Sequence, residues 1–381
     1  MKKPPRILIL VPALATNDAI GNDVIQMRTA LRDSGYQVDV FAEEIDPAFA
    51  RLARPLEEAP KTCWESPEDI LIYHHSCGWP QGEEILFGAP NQVVFRTHNV
   101  TPPHFFASYS PGHVQACEAG LECARRAARR RDFVILGDSA TNCEDLVALG
   151  AEREHCRVLP PLHFTEELGG APFSSAVLER YGGKGARVLF VGGIKPNKGH
   201  RRALGAFAEY YHHGNPHSRL IFAGGIDQRL NLYVIELRQL VSDLGLDGAV
   251  AFTGAISASE LKSYYVSADV FLCASEHEGF CVPLIESMYF RLPIVADAAG
   301  AVSETAGDCA LLLDGWDEAK VASAIETVVE DQDLAVDLGD RGRARYLRLF
   351  RQDVLRKRAS RIIGEILEAI PKERNRAPTP S

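Results

Sequence analysis

The sequence predicts an α/β fold of two doubly wound, Rossmann-like domains in tandem, each a parallel sheet covered by helices on both faces. Three observations carry this. Short β-branched or aliphatic runs alternate with longer helical patterns. The alternation occurs in two successive sets of about six strands. The length of 381 residues exceeds a single domain of roughly 100–200.

In the first set, strands are predicted at residues 6–11, 37–41, 70–73, 92–96, 133–136 and 157–159, with helices at 23–34 and 140–149. The opening MKKPPRILILVPAL looks superficially like a secretory leader. Its apolar part is short, β-branched and ends at Pro12 before continuing globular sequence, so it reads as the first strand. In the second set, strands are predicted at 187–191, 219–223, 249–253, 270–273, 293–296 and 310–312. Helices are predicted at 199–211, 230–244 and 283–289. Pro160-Pro161, Gly169-Gly170 and Pro172 interrupt the periodicity, which places domains at 1–165 and 175–353. From 354 to 370, Ala359, Ile362, Ile363, Ile366, Leu367 and Ile370 form one stripe of an amphipathic helix, expected to dock back across the domains. Residues 371–381 are polar and Pro-containing, and are expected to be a flexible tail.

Composition excludes several classes. With 46% hydrophobic and 24% charged residues the chain is an ordinary globular protein. A formal charge of −10 argues against general nucleic-acid binding. No apolar run reaches the roughly 18 residues of a membrane-spanning helix. The nine cysteines are odd in number and lack a C-x-x-C pair, so neither a zinc site nor a disulfide framework is suggested. Free thiols in a reducing cytoplasm are expected.

Ligands of open α/β sheets bind beyond the carboxyl ends of the strands, and a cleft between two such sheets is the expected site. The strongest motif, Ser275-Glu276-His277-Glu278-Gly279-Phe280-Cys281-Val282-Pro283-Leu284-Ile285-Glu286, stands just there, after the strand ending at Cys273. Pro283 suits the first turn of a helix, and Gly279 lets the chain turn closely past a ligand. The amides of Gly279, Phe280, Cys281 and Val282 then face an anion at a helix N-terminus. Glu278 and Glu286 would repel phosphates, so their natural partners are neutral sugar and ribose hydroxyls. As plain structure, Glu286 would complement a helix N-terminus and Glu278 would be a solvated loop carboxylate.

A second strand–loop–helix motif is Phe190-Val191-Gly192-Gly193-Ile194-Lys195-Pro196-Asn197-Lys198-Gly199. Its spacing is neither a P-loop nor a dinucleotide G-x-G-x-x-G. Lys198 at a helix start is mildly unfavourable for a cation unless an anion binds there. A third is Phe95-Arg96-Thr97-His98-Asn99-Val100-Thr101-Pro102-Pro103-His104-Phe105-Phe106, where His98 follows a first-domain strand.

These segments resemble the retaining GT-B glycosyltransferases of family four, enzymes that use nucleotide-sugar donors. Glu278 and Glu286 match the E-x7-E pair, the first holding a sugar hydroxyl and the second the ribose. Lys198 matches the Lys of the G-R-x-x-x-x-K-G loop that grips the donor diphosphate. Gly193 stands where the Arg is usual, a loss of about 2.7–4 kcal/mol of transition-state stabilisation unless Lys195 compensates. His98 matches the active-site His, and the HN-T-PP-FF string resembles an acceptor-side loop. HEGFCVPLIES resembles a bacterial subgroup that transfers mannose or related sugars in surface-polysaccharide assembly.

The resemblance implies a GT-B architecture, two Rossmann-like domains facing across a cleft, with no cofactor. A GDP-sugar is favoured as donor, a UDP-sugar next, and the acceptor is a glycan or lipid-linked saccharide. Gly21-Asn22-Asp23 resembles a loop meeting the diphosphate, with a plain helix cap by Asn22 or Asp23 as the alternative. Tyr73-His74-His75-Ser76-Cys77-Gly78 follows the third strand and is read on the acceptor side, and its adjacent histidines point apart, against a metal pair. Thr253-Gly254-Ala255-Ile256 is placed for backbone contacts to the base. Arg125, Arg126, Arg129, Arg130 and Arg131 form a basic cluster, a solvated helix face or a seat on the anionic inner face of the cell membrane. The only Asp-x-Asp, Asp331-Gln332-Asp333, follows no strand, so no catalytic metal is expected. The rival readings are a binding subunit without turnover, and another GT-B enzyme such as an epimerase or an inverting transferase. A nicotinamide dehydrogenase is disfavoured by the missing G-x-G-x-x-G.

Overall fold

A computed structural model describes residues 5–16, 18–66, 68–181 and 183–369. The chain forms two compact units. One comprises residues 1–102, 115–164 and 352–381, the other Pro103–Val114 and Thr165–Arg351. The expected tail at 371–381 and Ile370 of the apolar stripe lie outside the described residues.

The first unit holds a sheet of seven parallel strands: β1 (Ile7–Leu14), β2 (Val38–Ile45), β3 (Arg54–Pro55), β4 (Ile70–His75), β5 (Gln92–Thr97), β6 (Phe133–Gly137) and β7 (Cys156–Val158). Their order is β3-β2-β1-β4-β5-β6-β7. Ile7, Ile9 and Val11 enter one apolar core and Leu8 and Leu10 another, so both faces are covered and β1 reads as an unbroken apolar run. Strand β3 was not predicted. It is two residues long and ends in a Pro, which only a sheet edge tolerates.

The second unit holds six parallel strands: β8 (Arg187–Val191), β9 (Arg219–Ala223), β10 (Val250–Phe252), β11 (Val270–Cys273), β12 (Ile294–Asp297) and β13 (Ala310–Leu313). Their order is β10-β9-β8-β11-β12-β13. Val188 and Phe190 pack on one face and Leu189 and Phe271 on the other. The predicted two-domain α/β class with parallel sheets is therefore observed.

Two boundaries differ from the sequence expectation. Pro103–Val114 packs within the second unit, where Tyr109 donates its hydroxyl to Glu236 at 2.8 Å and His113 lies 3.3 Å from Asp227. The helix Gln352–Ala369 packs within the first unit, against the helix Ala19–Asp33. Its Leu355, Ala359, Ile362, Ile363 and Ile366 join the core of Ile7 and Ile9. Each buried isoleucine contributes about 1.5–3 kcal/mol relative to exposure. Among the described residues no helix is long and apolar enough to cross a membrane. All nine cysteines are free thiols.

Three histidines are buried as neutral rings. Burial lowers His75 to about 4 although its Nε2–H donates to the Gly120 carbonyl, and burial lowers His200 to about 3. His74 is held well below its ordinary value by burial and by His98. An unfolded chain protonates these rings near 6.5, whereas the folded chain does not until far lower pH. The unfolded state then binds more protons, so stability falls as pH drops from about 6.5 towards 4. Urea unfolding across that window is expected to show a falling midpoint, and His200→Gln to flatten the fall. A midpoint unchanged from pH 7 to 5 would contradict this.

Candidate active site

Each sheet reverses its strand order once, between β1 and β4 in the first unit and between β8 and β11 in the second. Such switch points leave a crevice at the strands' carboxyl ends. The polar residues gather at both.

In the second unit, β8 and β11 are hydrogen-bonded neighbours, so the loops after them lie side by side. Gly199 makes the approach possible. Its φ is +76°, and a Cβ there would stand 1.9 Å from the Ala274 carbonyl oxygen. The Glu276 amide donates to the Asn197 carbonyl at 2.9 Å and ties the two loops together. Lys198 Nζ consequently donates to Glu278 Oε1 at 2.7 Å, and Ser275 Oγ donates to the same oxygen at 2.7 Å. Glu278 is only 7% exposed and Lys198 26%. Burial works against the Lys198 ammonium, but the Glu278 charge outweighs it and raises the amine above its ordinary range.

The helix Val282–Tyr289 begins here with Pro283 in its first turn and no side chain capping it. Glu286 lies in that helix, and Tyr265 donates its hydroxyl to Glu286 Oε2 at 2.7 Å. Burial pushes the Glu286 carboxyl up, partly offset by that bond. Gly279, Phe280, Cys281 and Val282 thus lead into the helix as expected, and Cys281 holds φ +74°. At Gly193 a Cβ would find nothing nearer than the Gly225 carbonyl oxygen at 3.7 Å, ordinary van der Waals contact. Lys195 is exposed. Ile256 lines a concavity of about 490 Å³ with Thr253, Ala255, Arg180, Tyr181 and Tyr264 along the edge strand β10.

The first unit builds a buried charge network. Arg96, fully buried, donates from Nε to Asp23 Oδ2 at 3.1 Å and from Nη1 to the Leu159 carbonyl at 2.6 Å. Its Nη2 lies 2.8 Å from Asp138 Oδ1. Burial opposes the guanidinium charge, yet Asp138 and Asp23 outweigh it and raise Arg96 further. Asp138 Oδ2 accepts from His98 Nδ1–H at 3.0 Å. The remaining His98 nitrogen, Nε2, lies 2.9 Å from His74 Nδ1, so the two rings are hydrogen-bonded to each other.

His98 therefore stands at the end of β5 as expected, but both its ring nitrogens are engaged and its side chain is 5% exposed. Asp23, Arg96 and Asp138 were not singled out as site residues. The available signal was an ionisable residue inside an otherwise apolar pattern: Asp23 between Asn22 and Val24-Ile25, Arg96 ending an apolar strand.

Several expectations need correction. The helix at Gly21 is capped by Asp18, whose Oδ2 accepts the Gly21 amide at 2.7 Å, so neither Asn22 nor Asp23 is the cap and that amide is occupied. The Pro-Pro-His-Phe-Phe string is divided: His98 to Pro102 belong to the first unit, while Pro103–Phe106 packs beside Pro196–Lys198 in the second. His74 and His75 do point apart, but His74 meets His98 and Asp23 instead. Those three are the one group among the described residues whose ligand atoms lie close enough to hold a metal, all within 4.8 Å. Arg96 sits on the Asp23 oxygen that a cation would need, and the two imidazoles bond directly, so these ligand atoms already engage one another. In the basic cluster, Arg125, Arg126, Arg130 and Arg131 pair with Glu122, Glu83, Asp132 and Glu152.

Comparison with known proteins adds the following. Residues 179–345 match the family profile described as "Glycosyl transferases group 1". The chain is 33% identical over 223 residues to the D-inositol 3-phosphate glycosyltransferase of Acidothermus cellulolyticus, covering 55% of this chain and 49% of that protein. It is 30% identical over 240 residues to the GDP-mannose-dependent alpha-(1-6)-phosphatidylinositol monomannoside mannosyltransferase of Mycolicibacterium smegmatis, covering 58% and 60%. It thus spans about half the length of the first relative and under two thirds of the second. Among solved structures it is similar to the sucrose-phosphate synthase of Thermosynechococcus elongatus, with a TM-score of 0.75 at 19% identity over 96% of this chain and all of that one. That likeness shows the fold, a pair of Rossmann-like units of the GT-B class.

Proposed function

We propose that this chain, whose residues 179–345 match the profile of glycosyl transferases group 1, moves a hexose from a nucleoside-diphosphate sugar to a glycan or lipid-linked saccharide. Transfer proceeds with retention of configuration and without a metal, in cytoplasmic assembly of a surface polysaccharide. The mycobacterial relative's GDP-mannose dependence favours a GDP-mannose-type donor, with UDP-hexoses next.

The observation that carries the reading is the Lys198–Glu278 contact beside the uncapped N-terminus of Val282–Tyr289, at the switch point of the second sheet. An ammonium and a set of helix amides stabilise the leaving diphosphate. Glu278 Oε1 is held by Lys198 and Ser275, which leaves Oε2 for a sugar hydroxyl. Glu286 Oε2 is held by Tyr265, which leaves Oε1 for the ribose. Gly279, Phe280, Cys281 and Val282 meet the phosphates through backbone, Ile256 meets the base, and Lys195 supplies charge that Gly193 does not. His98, oriented by Asp138 and His74, serves the reacting region.

Purified protein incubated with GDP-mannose or UDP-glucose and a lipid-linked saccharide is expected to form an α-linked product, read by NMR, at a rate that EDTA leaves unchanged. Glu286→Gln is expected to raise the donor KM about tenfold. A protein binding none of these nucleotide sugars would sink the proposal. Gly193 favours one second reading, a binding subunit, which nucleotide-sugar binding without turnover would establish.

A further inference from the structure

We propose that Cys273 and Cys281 form a modification site: a dithiol that a hydroperoxide converts to a disulfide, withdrawing the loop between them from nucleotide binding. The consequence for nucleotide binding rests on the donor reading above; formation of the bridge does not.

The two sulfurs lie 3.9 Å apart. Cys273 ends β11, and Cys281 stands at the boundary of the helix Val282–Tyr289. Cys281 adopts φ +74° and ψ +78°, a left-handed conformation that suits glycine and that other side chains rarely hold. A position that local geometry would give to glycine therefore carries a thiol, within van der Waals reach of a second thiol. Cys281 is partly exposed and Cys273 is buried, so a dissolved oxidant meets Cys281 first.

The chemistry balances. The Cys281 sulfur attacks the O–O bond of the hydroperoxide, giving a sulfenic acid and releasing an alcohol, or water from hydrogen peroxide. The Cys273 sulfur then attacks the sulfenyl sulfur, and hydroxide leaves with the Cys273 proton as water. Two thiols are oxidised by two electrons, and one hydroperoxide is reduced.

Bond formation closes the sulfur separation from 3.9 Å to about 2.0 Å. Both Ser275 and Glu278 lie in the span that must shift. The two 2.7 Å bonds that hold Glu278 Oε1 do not survive a displacement of that size unchanged. Misplacement of a positioning group by about 1 Å is enough to lower function about a hundredfold.

The test is peptide mapping of the full chain after hydrogen peroxide, with and without later dithiothreitol. Trypsin cleaves after Lys262 and Arg291, so both thiols fall in one peptide that holds no other cysteine. That peptide is expected to resist alkylation and to be lighter by two hydrogens, while GDP and UDP affinity falls by about tenfold or more and dithiothreitol restores both. Cys273→Ala, with Cys273→Ser as a second variant, is expected to bind nucleotide normally and to keep its affinity under peroxide. Thiols that stay reduced, bridges to other cysteines, or oxidation of Cys281 only to a sulfinic acid would overturn the proposal. So would a bridge that leaves nucleotide affinity unchanged. A reduced protein that binds neither nucleotide overturns the donor reading instead, and the site is then judged by the bridge and by altered hydrogen exchange of residues 274–286.

Discussion

Lys198→Ala is expected to lower the transfer rate by about 10²–10³-fold. Two effects combine in this number. In the proposed reaction the variant removes the cation nearest the leaving diphosphate, where negative charge develops as the sugar–phosphate bond breaks. It also leaves the Glu278 carboxylate, 7% exposed, without the ammonium 2.7 Å away. A carboxylate freed in that way repels the donor phosphates, so donor affinity falls together with rate. Lys198→Arg keeps the charge but not the compact fit against Glu278 Oε1, and recovers only part of the loss. Steady-state kinetics with a fixed acceptor separate the two contributions: kcat reports the leaving-group effect and donor KM the repulsion. A Lys198→Ala protein with a rate within a factor of two of the parent would remove the diphosphate role of this residue.

Arg96→Met carries the largest expected stability loss, about 3–5 kcal/mol, the usual result of removing one partner from a buried ion pair. Arg96 stands between Asp23 and Asp138 and also satisfies the Leu159 carbonyl. Methionine fills much of the volume but leaves two buried carboxylates facing each other through an apolar side chain. The two buried charges then lose the guanidinium that compensates them. Urea unfolding of both proteins at pH 7 checks the size of the loss. A deficit below about 1 kcal/mol at pH 7 would mean that solvent reaches the network.

The loops of Lys198 and Glu278 were legible because their chemistry is local. Ser275 to Glu286 is one uninterrupted string, and the alternation of strand and helix around it gives its place at a strand's carboxyl end. The strands themselves were legible for a similar reason, since β1 buries both faces and shows no polar interruption. The buried polar residues of the first unit were less so. His98 could be placed at the end of β5, but not the two partners that hold its ring nitrogens. Asp18 rather than Asn22 or Asp23 caps the first helix, because the capping residue is the one whose backbone is still extended when the helix begins.

Sequence alone determined the class of the fold, the location of the Lys198 and Glu278 loops, and the free-thiol character of the chain. Tertiary structure alone decided three further things: which charges meet, which unit Pro103–Val114 joins, and that Cys273 and Cys281 are neighbours. The reason is physical. Arg96 and Asp23 are 73 residues apart in the chain, and they meet only because the fold brings the first helix, which carries Asp23, to the end of β5, which carries Arg96. Periodicity records which side of an element is apolar; it does not record which buried charge on one element will face which on another.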